Sequence, residues 1–281
     1  MRFGHVTVAL SARTGVRRDG TGDHSDGTAV PGSMRDVAFG GRPEAVVAAG
    51  AEVLGEVTGA PGTIVAFGDS ITNGAASTPG RNQRWPDLLA ARLATSPVVG
   101  FGVANAGVSG NRILLDARHP RYRSTAIAGR SGLSRFAADA LEPAGVRTVI
   151  VFAGVNDIIQ TPRQTDPARV VEGLTRLVHQ GQARGVRVVV CTIPPFRGWS
   201  GHTTEAERVR GQVNAWIRTR EAFADFDLAL RDPADPLRLR PDLDGGDHLH
   251  PNDAGMFALA AAVPLEQLCF RFRPRTRPAR R

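Results

Sequence analysis

From Thr63 onward the chain alternates short β-branched runs with longer helix-patterned stretches, and this alternation restricts the fold more than any other feature. The runs lie at 63–67, 98–103, 148–152, 186–192 and 223–226. Helical patterns fall between them, at 85–94, 131–141, 167–184 and 204–220. A last helix is expected after Pro251, with Asn252 or Asp253 as its N-cap, because a short polar side chain can accept a hydrogen bond from the first turn. Strands separated by helices pair in parallel through right-handed crossovers. The expected fold is therefore α/β, a three-layer α/β/α sandwich around a five-stranded parallel sheet.

The first 60 residues have a different texture. Residues 1–33 carry little hydrophobic pattern, and 20–32 are Gly-rich and read as a flexible loop. Two short strands are expected at 36–39 and 44–47, around the turn Gly40-Gly41-Arg42-Pro43. The turn Gly59-Ala60-Pro61-Gly62 then opens the sandwich. The expected division is a flexible segment with a short β remnant at 1–60, the sandwich domain at 61–268 and a basic tail at 269–281.

Composition excludes several function classes. No run of about 18 apolar residues exists, so no membrane-spanning helix is expected. Val6 to Leu10 is shorter than the apolar core of a secretory leader, so no signal peptide is expected within residues 1–20. The net charge is +8 and every basic side chain is arginine, with six arginines clustered at 271–281. No helix-turn-helix, zinc-finger or RNA-binding pattern accompanies that charge, so no nucleic-acid partner is expected. Cys191 ends an apolar run and reads as a buried thiol; Cys269 is the other cysteine, and neither sits in a Cys-x-x-Cys.

Four polar clusters follow the predicted strands, and in an open parallel sheet ligands bind beyond the carboxyl ends of the strands. The first is Phe67-Gly68-Asp69-Ser70-Ile71-Thr72-Asn73-Gly74. Its glycine permits a tight turn that exposes Ser70 where a helix can start, although Asp69 or Ser70 could equally be a plain cap. A phosphate-cradling P-loop needs a lysine, which the chain lacks. The second is Asn105-Ala106-Gly107-Val108-Ser109-Gly110-Asn111-Arg112. Gly107 allows close backbone approach and could lend its N–H to an oxyanion; an ordinary glycine-rich loop is the alternative. The third, Gly154-Val155-Asn156-Asp157, offers the uncharged amide donors of Asn156, or an Asx turn. The fourth is Asp247-His248-Leu249-His250-Pro251-Asn252. Asp247 can fix the tautomer of His250 three residues on, leaving the other ring nitrogen to take a serine proton. Competing readings are a metal held by His248, His250 and Asp244, or His248 as the base. Arg112 and Trp85 are candidates for lining the pocket, each with a structural alternative.

Taken in order, Gly68-Asp69-Ser70-Ile71, Gly107, Gly154-x-Asn156-Asp157 and Asp247-x-x-His250-Pro251 resemble the four blocks of the SGNH/GDSL hydrolase superfamily. The resemblance spans roughly residues 61–265 and departs from the usual string only by Ile71 in place of leucine. It implies a flavodoxin-like sheet of strand order 2-1-3-4-5. It implies Ser70 as nucleophile, His250 as base, Asp247 as its orienter, and an oxyanion hole from the Ser70 and Gly107 N–H groups with the Asn156 side chain. No metal and no organic cofactor are implied. The first two blocks are similar to a bacterial branch grouped with xylan-associated arylesterases. Residues 35–57 resemble a shortened piece of that branch's N-terminal β region. The implied substrate is a small ester or an acylated carbohydrate carrying a short, acetyl-type acyl group. A non-catalytic carbohydrate-binding or interaction protein of the same fold, and an acyltransferase, are the alternatives.

Overall fold

The computed structural model describes residues 5–7, 62–96, 100–116 and 128–268. The expected strands at 36–39 and 44–47, the loop at 20–32, the basic tail, Cys269, His24 and His119 lie outside the described residues.

The elements follow in order: β1 His5–Thr7, β2 Gly62–Gly68, α1 Ser70–Asn73, α2 Trp85–Ala94, β3 Phe101–Gly107 and α3 Gly132–Phe136. A π-helical turn, Ala137–Leu141, prolongs α3. There follow β4 Val146–Phe152, α4 Val155–Ile159, α5 Pro167–Gln182, β5 Arg187–Cys191, α6 Thr204–Ile217, β6 Phe223–Ala224, α7 Phe226–Leu230 and α8 Asp253–Ala262. A 3₁₀ turn at Leu265–Gln267 closes the described chain. The sheet order is β1-β3-β2-β4-β5-β6. Five strands, β2 to β6, run parallel, and their order is the implied 2-1-3-4-5. β1 adds an antiparallel edge to β3, with His5 opposite Asn105, where the sequence pattern predicts no strand.

Side-chain alternation along the strands builds two cores. Val65, Phe67, Val149, Val151, Val188 and Val190 face one layer, which contains α3, α5 and α6. Ile64, Ala66, Ile150, Phe152, Val189 and Cys191 face the other, packed by α2, α7 and α8. Near-continuous apolar strands are what a sheet covered on both faces requires. Trp85, a candidate pocket residue, is fully buried here. Its indole N–H donates to Thr72 Oγ1 at 3.3 Å and its ring meets Phe226 edge-on, so it is a core residue. Cys191 is buried, as expected, and burial pushes its thiol pKa up.

Three boundaries move for physical reasons. The strand expected at 98–103, whose residues 98 and 99 lie outside the described residues, runs on to Gly107, because parallel pairing with β2 recruits Ala104 to Gly107, which β propensity alone would pass over. The helix expected at 204–220 ends at Ile217, since Arg218 turns to bond Asp225 and Asp227. The strand expected at 223–226 ends at Ala224, because Asp225 becomes the N-cap of α7 and accepts from the Leu228 N–H. α8 starts where expected, with the Asn252 side chain accepting from the Gly255 N–H. Among the described residues no helix is long and apolar enough to cross a membrane.

Candidate active site

β2 delivers Ser70 to the carboxyl edge of the sheet. Asp69 caps α1 by accepting from the Ile71 N–H at 3.0 Å, so Ser70 becomes the first helical residue. A first-turn N–H has no intrahelical acceptor, which leaves the Ser70 N–H available to a ligand.

The loop before α8 brings up the imidazole. Asp247 Oδ1 accepts from the N–H groups of Leu249 (3.0 Å) and His250 (2.8 Å), a local turn that brings its other oxygen to the ring. Asp247 Oδ2 lies 2.6 Å from His250 Nδ1, and His250 Nε2 lies 2.8 Å from Ser70 Oγ. Ser70, His250 and Asp247 therefore form one hydrogen-bonded chain. Trp199 meets the His250 ring edge-on, with centroids 6.0 Å apart. Burial pushes the Asp247 carboxyl up, but the bonds from His250 and Leu249 and the attraction to His250 outweigh it and hold the pKa below the ordinary range.

The expected oxyanion donors are not equally placed. Asn156 is buried at the start of α4, where Gly154, at φ 121°, makes the turn that glycine tolerates. Its Nδ2 donates to the Asn111 carbonyl at 3.1 Å and its Oδ1 accepts from Gln160 at 2.8 Å. An amide carries two N–H donors, so one remains after the Asn111 bond. The Gly107 N–H is engaged: it donates to Asn105 Oδ1 at 2.8 Å. Its glycine has a second reason. A Cβ at 107 would sit 2.4 Å from the backbone nitrogen of Asn73, so β3 can approach α1 only without a side chain. Gly107→Ala must push α1, and with it Ser70, out of place. We expect it to cost about 2–3 kcal/mol in a urea melt, in line with overpacked cores, and to lower turnover by more than that loss of folded protein explains.

Arg135 carries no short motif and escaped the sequence reading, which also gave no role to Asn105 and Asp157 although they lie inside the second and third clusters. Arg135, buried on α3, donates to the carbonyls of Gly68 and Ala106, each at 2.9 Å, and to Asn111 Oδ1 at 2.9 Å. One guanidinium thus ties the ends of β2 and β3 to the following loop. It also pairs with Asp139 at 3.2 Å and lies 3.9 Å over the Phe67 ring. Burial lowers its pKa to about 10, against the attraction of Asp139 and Asp69, so it stays charged at neutral pH. Asn105 donates to the Thr72 carbonyl at 2.7 Å and so anchors α1 from β3. Asp157 accepts from the N–H groups of Ile113 and Leu114, at 2.7 and 2.9 Å. Arg112, the other pocket candidate, is buried and donates to the Pro162 carbonyl at 2.6 Å, which is a structural task.

Burial raises the Asp69 pKa from 3.8 to about 6, with the Ile71 bond, His250 and Arg135 opposing and Asp157 adding to the shift. A carboxyl whose folded pKa is raised gives stability that is present below the unfolded value and is lost as pH rises through the folded value. Folding stability should therefore fall by about 3 kcal/mol between pH 4 and 6 from this group alone. Asp69→Asn keeps an oxygen for the Ile71 N–H and should flatten that part of the stability profile in denaturant melts at stepped pH.

His248 faces Asp244, its Nδ1 2.6 Å from Asp244 Oδ2, and is not the histidine bonded to Ser70. His179 lies in α5, and His202 packs edge-on against Phe196. Among the described residues no group of three or more His, Cys, Asp or Glu side chains is gathered as a metal ion would need.

Against known proteins, residues 66–257 match the sequence model of the GDSL-like lipase/acylhydrolase family. No curated protein sequence matches the chain significantly. Solved structures with a similar fold include the native aryl esterase of M. smegmatis, with TM-score 0.54 and 21% identity over 74% of this chain and 98% of that one. Est24, a carbohydrate acetylesterase from Sinorhizobium meliloti, superposes with TM-score 0.53 and 21% identity over 72% of this chain and 95% of that one. A lipase/acylhydrolase from Enterococcus faecalis gives 0.50 and 22% over 73% and 93%.

Proposed function

We propose, from the premise that the chain belongs to the GDSL-like lipase/acylhydrolase family and is a carboxylic ester hydrolase, that it cleaves short-acyl esters through Ser70, His250 and Asp247. The observation that carries the reading is the unbroken chain from Ser70 Oγ through both nitrogens of His250 to Asp247, at 2.8 and 2.6 Å.

The carboxylate at Nδ1 keeps the hydrogen there, so Nε2 has the lone pair that takes the Ser70 proton. The freed oxygen attacks the ester carbonyl, and the carbonyl π pair moves onto oxygen. The Ser70 N–H and the second Asn156 N–H are the donors for that oxyanion. Gly107 would join them only by giving up Asn105 Oδ1. The tetrahedral adduct collapses, the C–O bond to the alcohol breaks, and the alcohol takes its proton from His250. Water repeats the sequence on the acyl-serine, returning Ser70 and releasing the acid. The chain's own side chains supply every proton transfer. We assign this chemistry to the unit 61–268.

For the substrate, the names of the aryl esterase and the carbohydrate acetylesterase of similar fold support an acetyl-type acyl group, with an aryl alcohol or a sugar leaving. The test is hydrolysis of p-nitrophenyl acetate, butyrate and octanoate, beside labelling by a serine-reactive fluorophosphonate. Turnover declining with chain length, with the label on Ser70, is the expected result. Label on another residue, or none with inert protein, would remove the proposal and favour a non-catalytic binder.

A further inference from the structure

Two Asp–His pairs stand next to each other before α8, and the reaction above uses one of them. In the second, His248 Nδ1 is 2.6 Å from Asp244 Oδ2, the same separation as in the Asp247–His250 pair. Asp244 is anchored: its Oδ1 accepts from the N–H groups of Gly246 (2.8 Å) and His248 (3.0 Å). The Asp244 side chain is 10% exposed and the His248 side chain 46%, so a fixed carboxylate holds an imidazole that meets solvent. His248 adopts φ 66°, a left-handed backbone that is uncommon for a non-glycine residue. Its ring lies against Gly198, where a Cβ would come within 2.7 Å of the ring carbons. The next residue, Trp199, sets its own ring against His250. Consecutive residues of one loop therefore touch the two imidazoles, which ties the second pair to the first.

Nδ1 faces a carboxylate and so carries the hydrogen, and in the neutral ring Nε2 is left as a directed acceptor. It does not serve Ser70, whose Oγ is already bonded to His250. We infer that Asp244 and His248 form a subsite for the alcohol half of the ester, in which His248 Nε2 accepts a hydrogen bond from a free hydroxyl of a polyhydroxylated leaving group. The inference rests on the reading of Ser70 and His250 given above. It assigns the pair a role in choosing the leaving group.

The test compares two acetates that differ in hydroxyl content, a monoacetylated methyl glucoside and cyclohexyl acetate. One neutral hydrogen bond contributes about 1 kcal/mol, so His248→Ala should shift the ratio of their kcat/KM values roughly fivefold against the glucoside, mainly through KM. Asp244→Asn preserves an oxygen for the two backbone N–H groups. Its amide would donate to Nδ1, moving the ring hydrogen to Nε2 and turning the acceptor into a donor. A hydroxyl can accept from that N–H as well as donate, so the ratio should shift less than in His248→Ala. His248→Gln restores an acceptor near the Nε2 position and should recover part of the shift. An unchanged ratio in His248→Ala overturns the inference. So does an equal loss on both esters, which would mean that the pair only shapes the loop carrying Asp247 and His250. Failure of the underlying reading looks different: Ser70→Ala would then hydrolyse both esters as the wild type does, and the subsite would fall with it.

Discussion

Ser70→Ala should lower kcat/KM for p-nitrophenyl acetate by at least about 10⁴-fold while leaving the fold intact. The size follows from what the change removes. Ser70 Oγ is the atom bonded to His250 Nε2, and alanine deletes the only oxygen positioned to form the acyl intermediate in that chain of groups. The proposed oxyanion donors form hydrogen bonds but no covalent bond to substrate, so a small residual rate is expected. Stability should hardly change, since the hydroxyl makes a single part-buried hydrogen bond and the α1 cap belongs to Asp69. Circular dichroism and a denaturant melt beside the kinetics separate the two effects. Equal turnover by both proteins would show that Ser70 is not the nucleophile.

Asp247→Asn should be nearly as damaging, at about 10²–10⁴-fold in kcat, because it alters which nitrogen of His250 holds the hydrogen. The amide oxygen can still accept from the Leu249 and His250 N–H groups, so the loop keeps its shape. Its NH₂ would then face Nδ1 and donate to it. That drives the hydrogen to Nε2, which faces Ser70 and can no longer take a proton. The pH dependence has a definite sign. The Asp247 pKa lies below the ordinary value, so its stabilising effect is present above the unfolded value and is lost as pH falls through the lower folded one. The asparagine variant should therefore lack the part of the acid-side loss of stability that the wild type shows, measurable as melting temperature against pH. A rate within tenfold of the wild type would mean that the carboxylate has no part in setting the tautomer.

Much of this site was legible because its pieces are short and local. The bonds between Asp247 and the His250 N–H and ring span three residues, so the sequence spacing already contains their geometry. The cap of α8 by Asn252 spans three residues and was legible for the same reason. Gly107 illustrates the limit. Its residue type suggested a free N–H near a ligand, whereas the N–H goes to Asn105 and the missing Cβ makes room for the α1 backbone. Trp85 and Arg112 sit beside motifs in sequence yet point into the core, because neighbours in a chain need not face the same space. Arg135 had no readable signal at all. Its acceptors at Gly68 and Ala106 lie 67 and 29 residues away, and a lone arginine on an amphipathic helix looks like a solvated one.

The sequence by itself determined the alternating strand–helix order, the apolar strands that demand cover on both faces, the helix caps, and the Asp-x-x-His turn. Each depends on interactions within a few residues or on side-chain periodicity, and both are written directly in the order of amino acids. Only the tertiary structure decided which histidine meets Ser70, a contact across 180 residues, and which N–H groups stay open to a ligand. It also decided that Gly198 and Trp199, consecutive in another loop, meet His248 and His250. Those outcomes depend on how strands register and on which backbones approach closely enough to exclude a side chain, and no local pattern carries that information.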